Sequence, residues 1–473
     1  AAIVVVLGLG AVLGGRGGGN GDGDGGGGIM EALAPKVAIA GQEVSTATEF
    51  LELKDGTLTD ADVVTMKKLG NLKRIHFDGV AIETDGLDWV AGFPKLTEFS
   101  CEGYVADELD LTPFAGLTDL TRLSFYQNGN SIGAAVNDLS PIAGLTRIKR
   151  MDLNIGFEVT DLDALTGMTQ MESLRFWGSS NNGNASSLKD IGGLAGMTKL
   201  TSLQLIVGDV QDFSPLANLT ALIELNLYGD FMVEDLSFLR GMTQLRTLQM
   251  GGIYEGALVL SDLTALAGLT KLTDLQLNFP VASLDGLENL TALRTLQMYG
   301  SNSTYTDVDA LAGLTNLTVL RLPMHGEENT FQINGLAGLT NLTELDMECS
   351  VESLEPLRGL TNLRTLSIYN GYSSDGRAFS SLEPLSGLTN LTELSVRGDI
   401  VGSLSALSGL TGLRSLRIQH DDRDYTRWEG REVIRDLSPL SGLTKLNSLY
   451  VSGAAEGIDT SPVAFVSDLN INS

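Results

Sequence analysis

Leu222-Ile223-Glu224-Leu225-Asn226-Leu227 holds the pattern that decides the fold. Its last three residues alternate apolar and polar, the period of a short strand with one buried face. The template apolar-x-x-apolar-x-apolar returns as Leu120-Thr121-Arg122-Leu123-Ser124-Phe125, as Leu317-Thr318-Val319-Leu320-Arg321-Leu322 and as Leu391-Thr392-Glu393-Leu394-Ser395-Val396. Its final apolar position recurs seventeen times between Leu53 and Val451, at intervals of 21 to 33 residues. A period of that size is the mark of a repeat array, so the 473 residues need not divide into several globular domains.

A second piece precedes each strand, as in Asp138-Leu139-Ser140-Pro141-Ile142-Ala143-Gly144-Leu145-Thr146. It reads as one capped helical turn. Ser140, Ser214 and Ser438 stand where an N-cap is wanted, each followed by proline at the first helical position. Twelve glycines and two asparagines, from Gly116 to Gly442, close the turns, as residues that accept left-handed backbone. Each coil is therefore strand, loop, capped turn and return. One coil cannot bury its own leucines, but about 17 stacked coils make a continuous core. At ~4.8 Å per strand the parallel sheet is about 80 Å long.

The run Leu-Ser-Pro-Leu-x-Gly-Leu-Thr-x-Leu-x-x-Leu, as at residues 437–449, resembles the repeat of the bacterial leucine-rich-repeat family of the internalin type. The resemblance extends over roughly residues 48–452. It implies a leucine-rich-repeat solenoid, a horseshoe or arc with a parallel β-sheet on the concave face and single-turn 3-10 or α segments on the convex face. It also implies a role in binding other molecules. One departure is clear. The family places asparagine three residues after the last strand leucine, as a buried amide ladder. Asn128 keeps it here, whereas Gly208, Asp230, Ser301, His325, Ser350 and Asp399 replace it, so other groups must satisfy that backbone.

The ends differ from the array. Residues 1–15 are apolar and read as a truncated signal peptide or signal anchor, which makes an N-terminal membrane association possible. Residues 16–28, nearly all Gly, Asn and Asp, read as a flexible tether about 20 Å from end to end. Residues 29–68 are expected to form an N-terminal cap and first repeat, with a helix after Thr59 whose partner three on is Asp62. The array proper is 69–452, and 453–473 is expected to be a C-terminal cap or tail. Hydrophobe and tether together point to an extracellular location, secreted or held at the cell surface.

The chain carries 59 acidic and 31 basic residues, a net charge of −28, which repels phosphate backbones and argues against nucleic acid. Cys101 and Cys349 fall ten coils apart in this register, too far for a disulfide. His76, His325 and His420 fall in three different coils, and no phosphate loop or nucleophile–base pairing is present. No enzyme activity, cofactor or metal site is expected; His420 among Asp421, Asp422 and Asp424 reads as a solvated charged loop.

Function in a solenoid lies where repeats differ. Five connections swell after the strand, at 126–138, 177–190, 251–262, 369–381 and 419–436, all at the same point of the coil and so along one edge. Each carries an aromatic: Tyr126, Trp177, Tyr254, then Tyr369, Tyr372 and Phe379, then Tyr425 and Trp428. The position directly after the strand adds Tyr228 and Tyr299 to a column with Tyr126, Trp177 and Tyr369. Tyr and Trp dominate binding anchors, though packing over neighbouring coils would place them there too. The middle strand position faces the concave side and reads Gln204, Asn226, Gln249, Gln276 and Gln297 over consecutive coils. Amides pair donors and acceptors with peptide backbone or sugar hydroxyls. The expectation is an adhesin-like module that binds a protein partner through the concave face and the aromatic edge; a carbohydrate-binding surface protein and a structural spacer without ligand stay open.

Overall fold

The computed structural model describes residues 34–472, apart from 85, 104–108, 127–134, 155, 178–185, 230, 232, 252–258, 301–302, 323–330, 349–350, 370–378, 380, 398–402 and 420–433. Eighteen parallel strands form one sheet, from Phe50–Lys54 to Asp468–Asn472, each in register with the strand one coil on. Leu225 stands beside Leu203 and Leu248, and Leu227 beside Leu205 and Met250. These side chains are all 0% exposed, so the leucines of every coil meet in a single continuous core. At the N-terminal end phenylalanine takes over, with Phe99 edge-on to Phe114 at 5.1 Å between ring centroids.

All seventeen expected strands are present. The eighteenth lies in the segment expected to be a cap or tail. There Ser461–Val463 makes a 3-10 turn and Asp468–Asn472 pairs in parallel with Ser448–Ser452, so the segment is one more coil. At the other end the helix is Asp60–Met66, with the capping box of Thr59 and Asp62. Asp62 also accepts from the Ala40 backbone N–H at 2.9 Å, tying the helix to the antiparallel hairpin of Lys36–Ile39 and Gln42–Ser45.

Two expectations about the turns are corrected. Ser140, Ser214 and Ser438 are not N-caps: each is the first residue of a three-residue 3-10 turn, and its proline is the second. The cap is the aspartate two residues before. Asp138, Asp212 and Asp436 accept the serine backbone N–H at 2.7, 2.8 and 2.8 Å. Aspartate reaches its own backbone two residues on, and so satisfies that N–H before a serine within the turn can. Asp190 does the same for Gly192, and Ser353 and Ser381 for Glu355 and Glu383.

Nor are the closing glycines left-handed. None of the twelve between Gly116 and Gly442 has positive φ. The residue before each stays right-handed, as Ala115 does at φ −53° and ψ −33°. The chain then continues into a second right-handed turn, with Leu117 N–H bonded to the Phe114 carbonyl at 2.9 Å.

Asparagines do link successive coils, but ahead of the strands and not at the ladder position. Asn316, Asn341, Asn362 and Asn390 each donate to a threonine carbonyl one coil back, at 2.8, 2.9, 2.9 and 2.8 Å. Thr121, Thr343 and Thr392 add hydroxyl bonds to carbonyls of the preceding coil, each at 3.0 Å. Gly208 fills a ladder position because nothing larger fits: a Cβ there would lie 2.1 Å from the Ser186 carbonyl oxygen.

Candidate binding surface on the concave face

In a strand the leucines on either side of the middle residue point into the core, so the middle residue and the one after the last leucine share the opposite face. The middle column runs in register through Arg175, Gln204, Asn226, Gln249, Gln276, Gln297, Arg321 and Asp346. The five amides thus stand side by side on the concave face. Glu224 gathers the first two, accepting from Gln204 Nε2 at 2.6 Å and from Asn226 Nδ2 at 2.9 Å.

The aromatic column belongs to this same face and not to a separate rim. Tyr126, Tyr228 and Tyr369 are strand residues. Trp177 and Tyr299 follow their strands directly, with backbone N–H groups still bonded to Leu153 and Leu277 at 3.1 and 2.9 Å. Alternation then turns their side chains toward the middle column. The Tyr126 hydroxyl donates to Asp152 Oδ2 and the Tyr228 hydroxyl to Gln249 Oε1, each one coil on. Ser395 donates to the Tyr369 hydroxyl at 3.4 Å. Tyr299 donates to Gln297 of its own strand and accepts from Arg321 of the next coil at 3.2 Å. Tyr299 is 43% exposed, while the other four column members are half-buried. Trp177 and Tyr228 also pack on each other, so packing between coils accounts for part of their placement. Burial, with the Glu224 charge behind it, pushes the Tyr228 hydroxyl up to about 12; burial raises Tyr126 as well.

Tyr254, Tyr372, Tyr425 and Trp428 lie outside the described residues. Phe379 is 2% exposed and belongs to the core.

Sequence reading missed one feature. A hollow of about 340 Å³ lies over three adjacent strands, lined among others by Arg122, Ser124, Tyr126, Asp152 and Arg175. Asp152 accepts from Tyr126 and pairs with Arg175 at 3.3 Å. Burial lifts the Asp152 carboxyl above its usual range, opposed by the Tyr126 bond and the two guanidinium groups. The signal was there as charged residues at concave positions, Arg122, Asp152 and Arg175 on three nearby strands, but amides and aromatics drew the reading elsewhere. Further along, Arg321 binds Glu344 through Nε at 2.7 Å, beside a half-buried Asp346 whose carboxyl burial also raises. Among the described residues no group of three or more His, Cys, Asp or Glu side chains is placed to hold a metal ion. Among them, too, no helix is long and apolar enough to cross a membrane.

No family model matches the chain, and no curated protein matches it. Solved structures do. A leucine-rich-repeat protein of Leptospira interrogans superposes with a TM-score of 0.61 at 14% identity, over 88% of this chain and 99% of that one. The functional domain of InlJ from Listeria monocytogenes gives 0.54 at 20% identity, over 86% and 74%. The leucine-rich-repeat ectodomain of the plant membrane receptor kinase GASSHO1/SCHENGEN3 from Arabidopsis thaliana, solved in complex with Casparian strip integrity factor 2, gives 0.57 at 16%, over 89% and 51%. The chain is a leucine-rich-repeat solenoid. Its fold is similar to that of the functional domain of InlJ.

Proposed function

We propose that the chain is an extracellular, adhesin-like interaction module that binds a protein or peptide partner across its concave face. The observation that carries this reading is the joining of the aromatic and amide columns. Tyr126, Tyr228, Tyr299 and Tyr369 all hydrogen-bond into the middle column, which makes one continuous surface of rings, amides and charges. Such a surface offers aromatic contact area that is already ordered, so binding it costs little further side-chain entropy. The plant ectodomain that shares the fold was solved with a bound factor, which supports a polypeptide ligand. The acidic balance of the chain opposes a nucleic-acid partner. No catalytic step is assigned to it.

A photo-crosslinking amino acid placed at Gln249, and in a second protein at Asn362 on the turn side, tests the reading. A partner protein captured from 249 and not from 362 is the expected result. Capture from 362 alone, or from neither, overturns it. The same protein on a glycan array tests the carbohydrate alternative, which gains if sugars bind and no protein crosslinks at 249.

A further inference from the structure

We propose that the hollow over the strands Arg122–Tyr126, Arg150–Asn154 and Ser173–Phe176 is an anchor subsite for an acidic side chain, a glutamate or aspartate on an extended segment of the protein partner. The proposal deepens the interaction reading and rests on it for the polypeptide nature of the ligand.

The first ground is charge. Arg122, Arg150 and Arg175 line the hollow. Of the acids there, Glu172 is held by Lys149 at 3.1 Å, and Asp152 by Tyr126 and Arg175. The lining thus holds three guanidinium groups against two carboxylates, one positive charge over, on a chain whose net charge is −28. A locally basic hollow on an acidic protein selects for an anionic group on the ligand while the rest of the surface repels anions at large.

The second ground is hydrogen bonding that is left open. Ser124 is 1% exposed, and its Oγ has no partner among the described residues. Arg122 Nε, Arg175 Nε and Asp152 Oδ1 are in the same state, and all four atoms belong to residues that line this hollow. Buried polar groups are costly unless paired, so four in one place mark a site completed by something else. A carboxylate in the hollow offers acceptors to the two guanidinium groups, and to the buried serine hydroxyl once the side chains over it part. Asp152 Oδ1 then needs a donor beside that carboxylate, and a backbone N–H of the same segment is one.

The third ground is direction. Gln204 stands next to Arg175 in register, and the amide column continues from it through Gln297. A segment anchored in the hollow therefore passes on over groups that pair with peptide N–H and C=O. That continuity favours a polypeptide over a free acid.

The test uses surface plasmon resonance on the full chain with defined probes: acetyl-(Gly-Glu)4-amide, acetyl-(Gly-Gln)4-amide and an oligogalacturonate. The glutamate peptide is expected to bind at least about tenfold more tightly than the glutamine peptide, the loss that goes with removing charge-assisted hydrogen bonds. Arg175→Gln and Arg122→Gln should each weaken the glutamate peptide about tenfold. Asp152→Asn removes one of the two negative charges that line the hollow and should tighten it several-fold, which a purely structural role would not do. Should Arg175→Gln fail to fold, Arg122→Gln and Asp152→Asn decide. Equal binding of the two peptides, unchanged affinity in these variants, or binding of the oligogalacturonate alone would overturn the proposal. Crosslinking at Gln249 reads the broader interaction independently: a partner captured there, together with indifference to the glutamate peptide, sinks the subsite and spares the module.

Discussion

The indole of Trp177 meets the ring of Tyr228 edge to face, with centroids 5.0 Å apart and planes at 85°. Their strands are not neighbours: Ser202–Val207 lies between them, and Ile206 pairs beside Tyr228. The two rings therefore clasp three coils on the concave face. An edge-to-face pair contributes about 0.5–1.5 kcal/mol beyond its buried area. A double-mutant cycle of Trp177→Ala and Tyr228→Ala, followed by urea unfolding, should return a coupling in that range. Additive effects would show that the contact does not hold the coils together.

The aspartates that cap the 3-10 turns set an acid limit on stability. Asp138, Asp212, Asp436 and Asp459 each accept backbone and hydroxyl bonds from a serine, and these hold their carboxyls below the ordinary 3.8. A carboxyl whose value is lowered by folding stabilises the fold fully above its unfolded value. That contribution is lost as pH falls through the folded value. The melting temperature should thus drop as pH falls below about 3.8. Asparagine keeps the accepting oxygen but does not titrate. The variant Asp138→Asn/Asp212→Asn/Asp436→Asn, followed by circular dichroism from neutral to strongly acidic pH, should lose less stability on acidification than the parent. Parallel curves would exclude the caps as the cause.

The strands and the core were legible because leucine at fixed spacing has one physical meaning, and every expected strand from Phe50–Lys54 to Ser448–Ser452 is present. The caps were misread because Asp138 and Ser140 both suit a helix start, and only the backbone shows that the turn begins at the serine. Of the candidate binding surface, the amide column and Tyr228 could be placed by alternation alone. The bond from Tyr228 to Gln249 could not, since it depends on how a side chain leans across to the next coil. The hollow needed three coils in register at once, and single-repeat patterns do not show which charges meet.

Cys101 should be inert in the native protein. It is 0% exposed, and burial, with the Glu102 charge beside it, pushes the thiol up to about 12. The thiolate is the reactive form, and at pH 8 it is then roughly one part in ten thousand. Iodoacetamide followed by peptide mapping should leave Cys101 unmodified in buffer and modify it in urea. Labelling of Cys101 at native pH, at a rate like that of a free thiol, would show that the coil around it opens.

Glycines separate by what surrounds them, and not by their place in the repeat. Gly193 is the middle residue of the turn Gly192–Leu194, and a Cβ there would sit 1.9 Å from the Leu162 carbonyl oxygen. That oxygen belongs to the preceding coil, so an added methyl must push two coils apart. Gly387 closes its turn with nothing within 4 Å of its would-be Cβ and without positive φ. Gly193→Ala should therefore cost about 1–3 kcal/mol, as overpacking in a fitted interior does. Gly387→Ala should fall within about 0.5 kcal/mol of the parent, or gain slightly by restricting the unfolded chain. Urea midpoints of the two variants decide the matter, and a cost for Gly387→Ala equal to that for Gly193→Ala would restore the conformational role once expected of the repeat glycines.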